Sequence, residues 1–203
     1  VIIFGVFAMA LPVNINAQEK TNNDLQLKAI KDARKEAKKL IKEGFQTSVG
    51  KLPLDKQLEN AAQKQVEADA EGNPYWYVVT SRTTGDNKEE TIVNAINAAK
   101  NDLTGQVQTR ISQLISASNN IEPKAAENLL SMLAESNSTI FATLNRTIPL
   151  VEIYRTLPDD NVEVYVTLGY SLDAANQAAV KAIRATLIKN SESLARELDK
   201  LGY

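Results

Sequence analysis

Apolar residues recur at steps of three and four through residues 89–115, and this spacing predicts a long amphipathic helix. The polar side chains of the same stretch fall on its other side. At a rise of 1.5 Å per residue such a helix would be about 40 Å long, enough to cover a small sheet. We expect the rest of the chain to be organised around it. Its apolar stripe consists of Ile92, Ile96, Ala99, Leu103, Val107, Ile111 and Leu114.

A second kind of pattern, alternation of apolar and polar residues, occupies residues 162–170 and predicts a half-buried strand. Residues 148–157 precede it as another strand candidate, and the short turn 158–161 joins the two into a hairpin. Pro149 indicates that the first of these strands lies near a sheet edge or begins there. Residues 75–84, rich in aromatic and β-branched side chains, predict a third strand.

Helical spacing returns in four further segments. Two of them are residues 24–49 and 54–70, the third opens at Pro123, and the fourth follows Ser171. The third segment has a break signal at residues 136–138. Together these elements predict an α+β fold, with long amphipathic helices packed on a small antiparallel sheet that contains the 148–170 hairpin. The last helix carries an Ala-rich and then a Leu-rich stripe. We expect its end to extend past the globular part and to offer a packing seam for a second copy.

The first eleven residues form an uncharged apolar run, which is followed by Pro12 and by the small-residue end at Ala17. This pattern is typical of a secretory signal peptide, with cleavage expected after Ala17. The run is too short to span a bilayer, which takes about twenty apolar residues. The sequence therefore predicts export to the periplasm or cell surface, without a transmembrane span. The expected organisation is a signal peptide (1–17), a helical amino-terminal segment (18–72) and an α+β domain (73–203).

The chain contains no Cys and no His. Thiolate and imidazole catalysis, disulfides and zinc–thiolate or histidine-ligated metal sites are therefore excluded. A net charge of −2 gives no reason to expect nucleic-acid binding. We expect no enzyme activity, no metal and no cofactor. The remaining catalytic alternative is a carboxylate-based hydrolase, for which Glu152 and Glu163 on adjoining strands are the candidates.

Two groups of residues are candidate contacts for a partner. The polar face of the helix 24–49 carries seven basic residues, with Asp32 and Glu36 among them, which suits either an anionic surface or an ordinary solvated face. The aromatic start of the strand 75–84 suits either a binding platform for sugar or protein, or core and sheet cover. The candidates are Lys31, Lys35, Lys38 and Lys42 on the helix, and Tyr75, Trp76 and Tyr77 on the strand.

Three stretches of the chain resemble small bacterial envelope lipoproteins related to the amino-terminal domain of flagellar assembly protein T. They are KLPLDKQLENAAQKQ, ETIVNAINAAKNDLTGQVQTRIS and IPLVEIYRTLPDDNVEVYVTLGYS, the last followed by an Ala-rich helix. The resemblance implies helices packed against a small antiparallel sheet in an envelope protein, and it brings no catalytic residues. This chain departs from the lipoproteins because it has no Cys for lipid attachment.

The sequence thus predicts an exported, non-catalytic envelope protein that binds or helps to assemble another envelope component. The alternative is an anion-binding surface protein that uses the basic helix. We also expect that a second copy could pack against the carboxy-terminal helix.

Overall fold

A four-stranded antiparallel sheet lies between two layers of helices, which confirms the predicted α+β fold. This computed structural model describes residues 15–69, 71–144, 147–190 and 192–202. The predicted signal peptide lies outside the described residues as far as position 14. In chain order the elements are α1 (Ile15–Lys42), β1 (Gln46–Thr47), α2 (Leu54–Val66), β2 (Trp76–Gly85), α3 (Lys88–Ala117), α4 (Pro123–Glu135), α5 (Asn137–Thr143), β3 (Ile148–Thr156), β4 (Val162–Ser171), α6 (Leu172–Asn190) and α7 (Glu192–Asp199).

The predicted hairpin is confirmed as β3 and β4, which form the centre of the sheet in the strand order β1-β3-β4-β2. Because side chains alternate along a strand, the register divides the hairpin between two cores. Val164, Val166 and Leu168 belong to the core under α3, whereas Val151 and Ile153 belong to a second core with α1 and α2. The sheet therefore has a packed layer of helices on each face.

The long helix α3 has the predicted position and covers β2 and β4. Asn87 caps its start, since its side-chain oxygen accepts a hydrogen bond from the Glu90 amide at 3.0 Å. The residues on the inner side of α3 are buried, and Ser81 of β2 donates to the carbonyl of Ala95 at 2.7 Å. The buried apolar members are Ala95, Ala99, Leu103, Val107, Ile111 and Ile115.

The basic helix α1 ends at Lys42, earlier than the predicted boundary at residue 49. Gly44 adopts φ of +91°, and its amide donates to the carbonyl of Ile41 while the Phe45 amide donates to the carbonyl of Leu40. This pair of bonds is a Schellman motif, in which a glycine takes the left-handed conformation that closes a helix. Phe45 is thereby turned into the core beside Leu40 and leads directly into β1.

The prediction of one continuous final helix was wrong, because the described residues form two helices, α6 and α7. Arg184 and Asp199 are 15 residues apart, which is about 22 Å along a straight helix. Their side chains nevertheless form an ion pair, with 2.5 Å between Nε and Oδ1. The chain therefore reverses between α6 and α7. Ala195 and Leu198 of α7 return to the core under α3, so these apolar positions face inward rather than outward.

In the described part of the chain, no helix combines the length and the apolar character that crossing a membrane requires.

Candidate binding surfaces

The outer face of α1 carries all four lysines predicted as contacts, and all four are exposed. The opposite side of the helix packs against α2 through Ala33, Ala37 and Leu40, whose burial fixes which face of α1 meets solvent. Small alanines at this contact allow the two helices to approach closely. The orientation of the basic face is therefore set by core packing and not by the lysines themselves.

Three of these four lysines form no ion pair within the described residues. They are Lys31, Lys38 and Lys42, and Lys28 on the same helix shares this property. Lys35 differs, since its Nζ lies 2.9 Å from Asp32 Oδ1. The hydrogen bond and charge of Lys35 lower the pKa of the Asp32 carboxyl, so that this acid stays ionised. The face thus keeps a surplus of positive charge available to an external anion.

Two large apolar side chains interrupt this basic face. Leu27 is 66% exposed and Ile41 is 56% exposed, although both are on a helix whose inner side is fully packed. A depression of about 430 Å³ adjoins Leu27 and is lined by Leu27, Ile30, Lys31, Arg34, Lys35 and Lys38. Exposed apolar residues beside unpaired lysines suit an amphiphilic anionic surface better than a plain polyanion.

The predicted aromatic platform is divided among three environments. Tyr77 is buried, and its hydroxyl donates to Asn176 Oδ1 at 3.1 Å. Trp76 is half-buried, with its Nε1 bonded to Glu67 at 2.9 Å and Lys64 Nζ 4.0 Å from its ring centroid. Tyr75 is 49% exposed. Only one of the three aromatic rings is thus freely offered to a partner.

The aromatic residues and the lysines do not form one site. Among the described residues, no hydrogen bond, ion pair or ring contact joins the 75–77 segment to the outer face of α1. The aromatic contacts run instead to α2 through Lys64 and to α6 through Asn176. The two predicted groups are separate surfaces.

The carboxylates Glu152 and Glu163 do not face each other, so they do not form the pair that the hydrolase alternative required. The register pairs Glu163 with Arg155 and Glu152 with Val166, which places the two acids on opposite faces of the sheet. Each acid also has a basic partner: Glu152 lies 3.3 Å from Lys51, and Glu163 lies 2.6 Å from Arg155. The described residues also contain no group of three or more acids placed to hold a metal ion.

Sequence reasoning missed an aromatic–arginine cluster on the α1–α2 face of the sheet. The guanidinium carbons of Arg82 and Arg155 lie 5.5 and 4.9 Å from the centroid of Phe45, and the Tyr165 ring meets Phe45 edge to face. Glu163 bridges the two arginines, at 3.9 Å from Arg82 and 2.6 Å from Arg155. These charges are used internally, so the cluster holds the end of α1 on the sheet.

Comparisons with protein-family models, with curated proteins and with solved structures found no match for this chain.

Proposed function

We propose that the chain is an exported, non-catalytic protein that binds or helps to assemble another component of the bacterial cell envelope. The observation that carries this proposal is the outer face of α1, where unpaired lysines and exposed apolar side chains lie together. Export to the periplasm or cell surface is supported by the signal-peptide pattern of residues 1–17. The resemblance of three sequence stretches to envelope lipoproteins supports the same compartment.

The contact that α1 favours is an anionic, amphiphilic surface such as the headgroup region of a membrane. Unpaired lysines supply long-range attraction, and Leu27 and Ile41 supply apolar area at the point of contact. Because α1 is held on the domain by its buried face, contact would require no unfolding of the helix. The proposal therefore combines the hypothesis of a binding module with the alternative of an anion-binding surface protein.

Two other hypotheses have less geometric support than the contact on α1. For a homo-oligomer through the carboxy-terminal helix, two residues of the expected seam, Ala195 and Leu198, are buried within the domain. A carboxylate-based hydrolase required a facing pair, but Glu152 and Glu163 lie on opposite sheet faces. We therefore place the proposed contact on α1.

The proposal is tested by chemical crosslinking of the tagged full chain in intact cells, followed by fractionation of the envelope. We expect the chain to leave the cytoplasm and to crosslink to an envelope component, and Lys31→Glu with Lys38→Glu to abolish that product. The matched control is Lys124→Glu with Lys181→Glu, which changes the net charge equally at exposed positions on α4 and α6. A chain that stays in the cytoplasm, or equal crosslinking by both pairs, would overturn the proposal.

A further inference from the structure

A groove with a volume of about 1000 Å³ runs along one flank of α3, beside the turn that precedes β2. It is bounded by α3 on one side and by residues 72–74, Tyr77 and Leu172 on the other. Along α3 the lining extends from Asn101 to Gln113, which corresponds to about 18 Å of helix. The groove therefore has the size of a site for a small extended ligand.

The α3 wall of the groove consists of hydrogen-bonding side chains. Within the described residues, no hydrogen bond or ion pair engages the side chains of Asn101, Asp102, Gln106, Arg110 and Gln113. The amides among them offer both donors and acceptors, and the formal charges of Asp102 and Arg110 cancel. This wall suits a neutral ligand that carries many donors and acceptors of its own.

Gly105 lies in the middle of the same wall. Glycine is unfavourable in the interior of a helix, and beyond the adjoining helix no atom lies within 4 Å of the place that a Cβ would take. Packing within the described chain therefore does not require a glycine here. The missing side chain does allow a ligand to lie directly against the helix, which is a common use of glycine at binding sites.

The opposite wall is held in place by hydrogen bonds. The carboxylate of Asp69 accepts from the backbone amide of Asn73 at 2.7 Å and from its side-chain amide at 2.9 Å. The ring of Tyr77 is fixed because its hydroxyl donates to Asn176 Oδ1. A groove with fixed walls binds its ligand at a lower cost in conformational entropy.

One end of the groove continues into a second depression that exposes an aromatic ring. This depression of about 500 Å³ shares Asn73, Pro74 and Leu172 with the groove and is also lined by Tyr75 and Trp76. Tyr75 is the exposed member of that pair. Sugars stack the C–H face of their rings on such aromatic side chains, while their polar groups bind planar amide side chains. Both kinds of contact are available along this one groove.

We propose that the groove binds an N-acetylated oligosaccharide, with one sugar ring stacked on Tyr75 and the next rings along α3. An acetamido group contains one N–H donor and one carbonyl acceptor, so it pairs with a side-chain amide such as that of Asn101 or Gln106. Gly105 leaves room for a ring against the helix. The inference goes beyond the contact proposed for α1 and does not depend on it.

An extended peptide also carries neutral donors and acceptors, but it fits the groove less well. The side chains with which α3 lines the groove are all polar, and Gly105 has none. Apolar side chains of a peptide would find no pocket on this wall. The apolar contacts of the lining, Pro74, Tyr77 and Leu172, are confined to the other wall.

The probe for this proposal is chitotriose, the trimer of N-acetylglucosamine. We expect it to bind the full chain with a dissociation constant of about 1 mM or less and to shift the backbone amide resonances of residues 72–77 and 101–113. Two control ligands should bind at least about tenfold more weakly. They are cellotriose, which has hydroxyl groups in place of the acetamido groups, and a tetraalanine peptide that is acetylated and amidated at its ends.

Paired variants of α3 test the amide contacts. Asn101→Ala with Gln106→Ala should weaken binding of chitotriose at least about tenfold. The matched control is Asn94→Ala with Asn97→Ala, which removes two exposed amides from the same helix outside the groove. The control pair should bind as the parent chain does.

Gly105→Leu separates binding from folding. Leucine has a much higher helix propensity than glycine, and the space around Gly105 is open, so we expect the melting temperature to rise. The added side chain occupies the place of the ligand, so binding of chitotriose should weaken at least about tenfold. Ala134→Leu, which adds the same side chain at an exposed position on α4, should leave binding unchanged.

Two variants of Tyr75 test the stacking contact. Tyr75→Ala removes the ring and should weaken binding of chitotriose at least about tenfold. Tyr75→Phe keeps the ring and should bind as the parent chain does. The lysine variants of α1 should also bind chitotriose normally, which distinguishes this site from the proposed anionic contact.

Three results would overturn the proposal. The first is no binding of chitotriose at about 10 mM. The second is unchanged binding by Gly105→Leu or by the Asn101 and Gln106 pair. The third is binding of cellotriose or of the peptide as tight as that of chitotriose, since this would assign the groove to another class of ligand.

Discussion

Arg34 of α1 donates from Nε to Glu59 Oε1 of α2 at 2.6 Å. This ion pair joins the two helices through residues that are 25 positions apart in the sequence. Glu59 is largely covered, and Lys56 Nζ binds its other oxygen at 2.9 Å. The bonds from Arg34 and Lys56 hold the pKa of the Glu59 carboxyl below its ordinary value of 4.5. The attachment of the basic helix therefore has a titratable component.

The first prediction is a loss of stability in acid that depends on Glu59. Because the folded-state pKa is depressed, the stabilisation is fully present above pH 4.5 and is lost as the pH falls through the lower, folded-state pKa. We expect the melting temperature of the parent chain to exceed that of Glu59→Gln at neutral pH, and the difference to shrink below pH 4.5. Thermal denaturation of both chains across this pH range measures it.

The control for that prediction is Glu127→Gln, at an exposed position on α4 that forms no ion pair within the described residues. Its melting temperature should follow that of the parent chain at every pH. A difference between the parent chain and Glu59→Gln that stays constant from pH 7 to about pH 2 would contradict the assignment.

The second prediction concerns Glu163, which neutralises two arginines beside Phe45. Its Oε2 lies 2.6 Å from Arg155 Nη2, and its side chain is 15% exposed. Glu163→Gln removes the charge and leaves both guanidinium groups close together, so we expect a loss of about 1–3 kcal/mol in the free energy of unfolding. Urea denaturation measures this loss, and Glu127→Gln is again the matched control. Equal stability of the two variants would show that the cluster contributes nothing.

The third prediction separates packing from charge in the attachment of α7. Leu198 is completely buried, so Leu198→Ala should lower the free energy of unfolding by about 2–5 kcal/mol. The neighbouring ion pair of Asp199 with Arg184 is substantially exposed on both sides, so Asp199→Asn should change the melting temperature little. The reverse order of effects in urea and thermal denaturation would mean that the ion pair, and not the core, holds α7 in place.

The sequence predicted the structure well where burial of one face makes apolar residues recur at a regular spacing. The stripe of α3 and the alternation of β4 are one-sided patterns. Leu103, Val107 and Ile111 of the predicted stripe are fully buried, whereas Ile92, Ile96 and Leu114 are only partly buried. Val164 and Val166 of β4 are buried as predicted, but Thr167 on the face predicted to be wet is buried as well. The break at 136–138 also agrees, since α4 ends at Glu135 and α5 begins at Asn137. These features follow from the local pattern of apolar and polar residues alone.

Features that depend on register or on chain reversal were beyond that reasoning. Glu152 and Glu163 were candidates for a pair because they lie on adjoining strands. The strand register, which the sequence does not give, places them on opposite faces of the sheet. The apolar stripe of the last helix misses one turn between Leu187 and Leu194, and periodicity alone does not distinguish such a gap from a reversal of the chain. The residue types Asn190 and Ser191, which are common at helix ends, were the available local signal. The strand β1, with two residues, was too short to produce any pattern.

The last prediction tests the proposed anionic contact of α1 with vesicles of defined charge. Each lysine near an anionic bilayer contributes about 1 kcal/mol, so Lys31→Gln with Lys38→Gln should weaken binding to phosphatidylglycerol-containing vesicles about 30-fold. The control pair Lys124→Gln with Lys181→Gln should bind as the parent chain does. Binding should also fall steeply as salt rises from about 0.1 M to about 1 M, because the screening length drops from about 10 to about 3 Å. Co-sedimentation with these vesicles and with neutral phosphatidylcholine vesicles measures both effects. If the affinity for vesicles depended neither on salt nor on lipid charge, the exposed Leu27 and Ile41, and not the lysines, would dominate the contact.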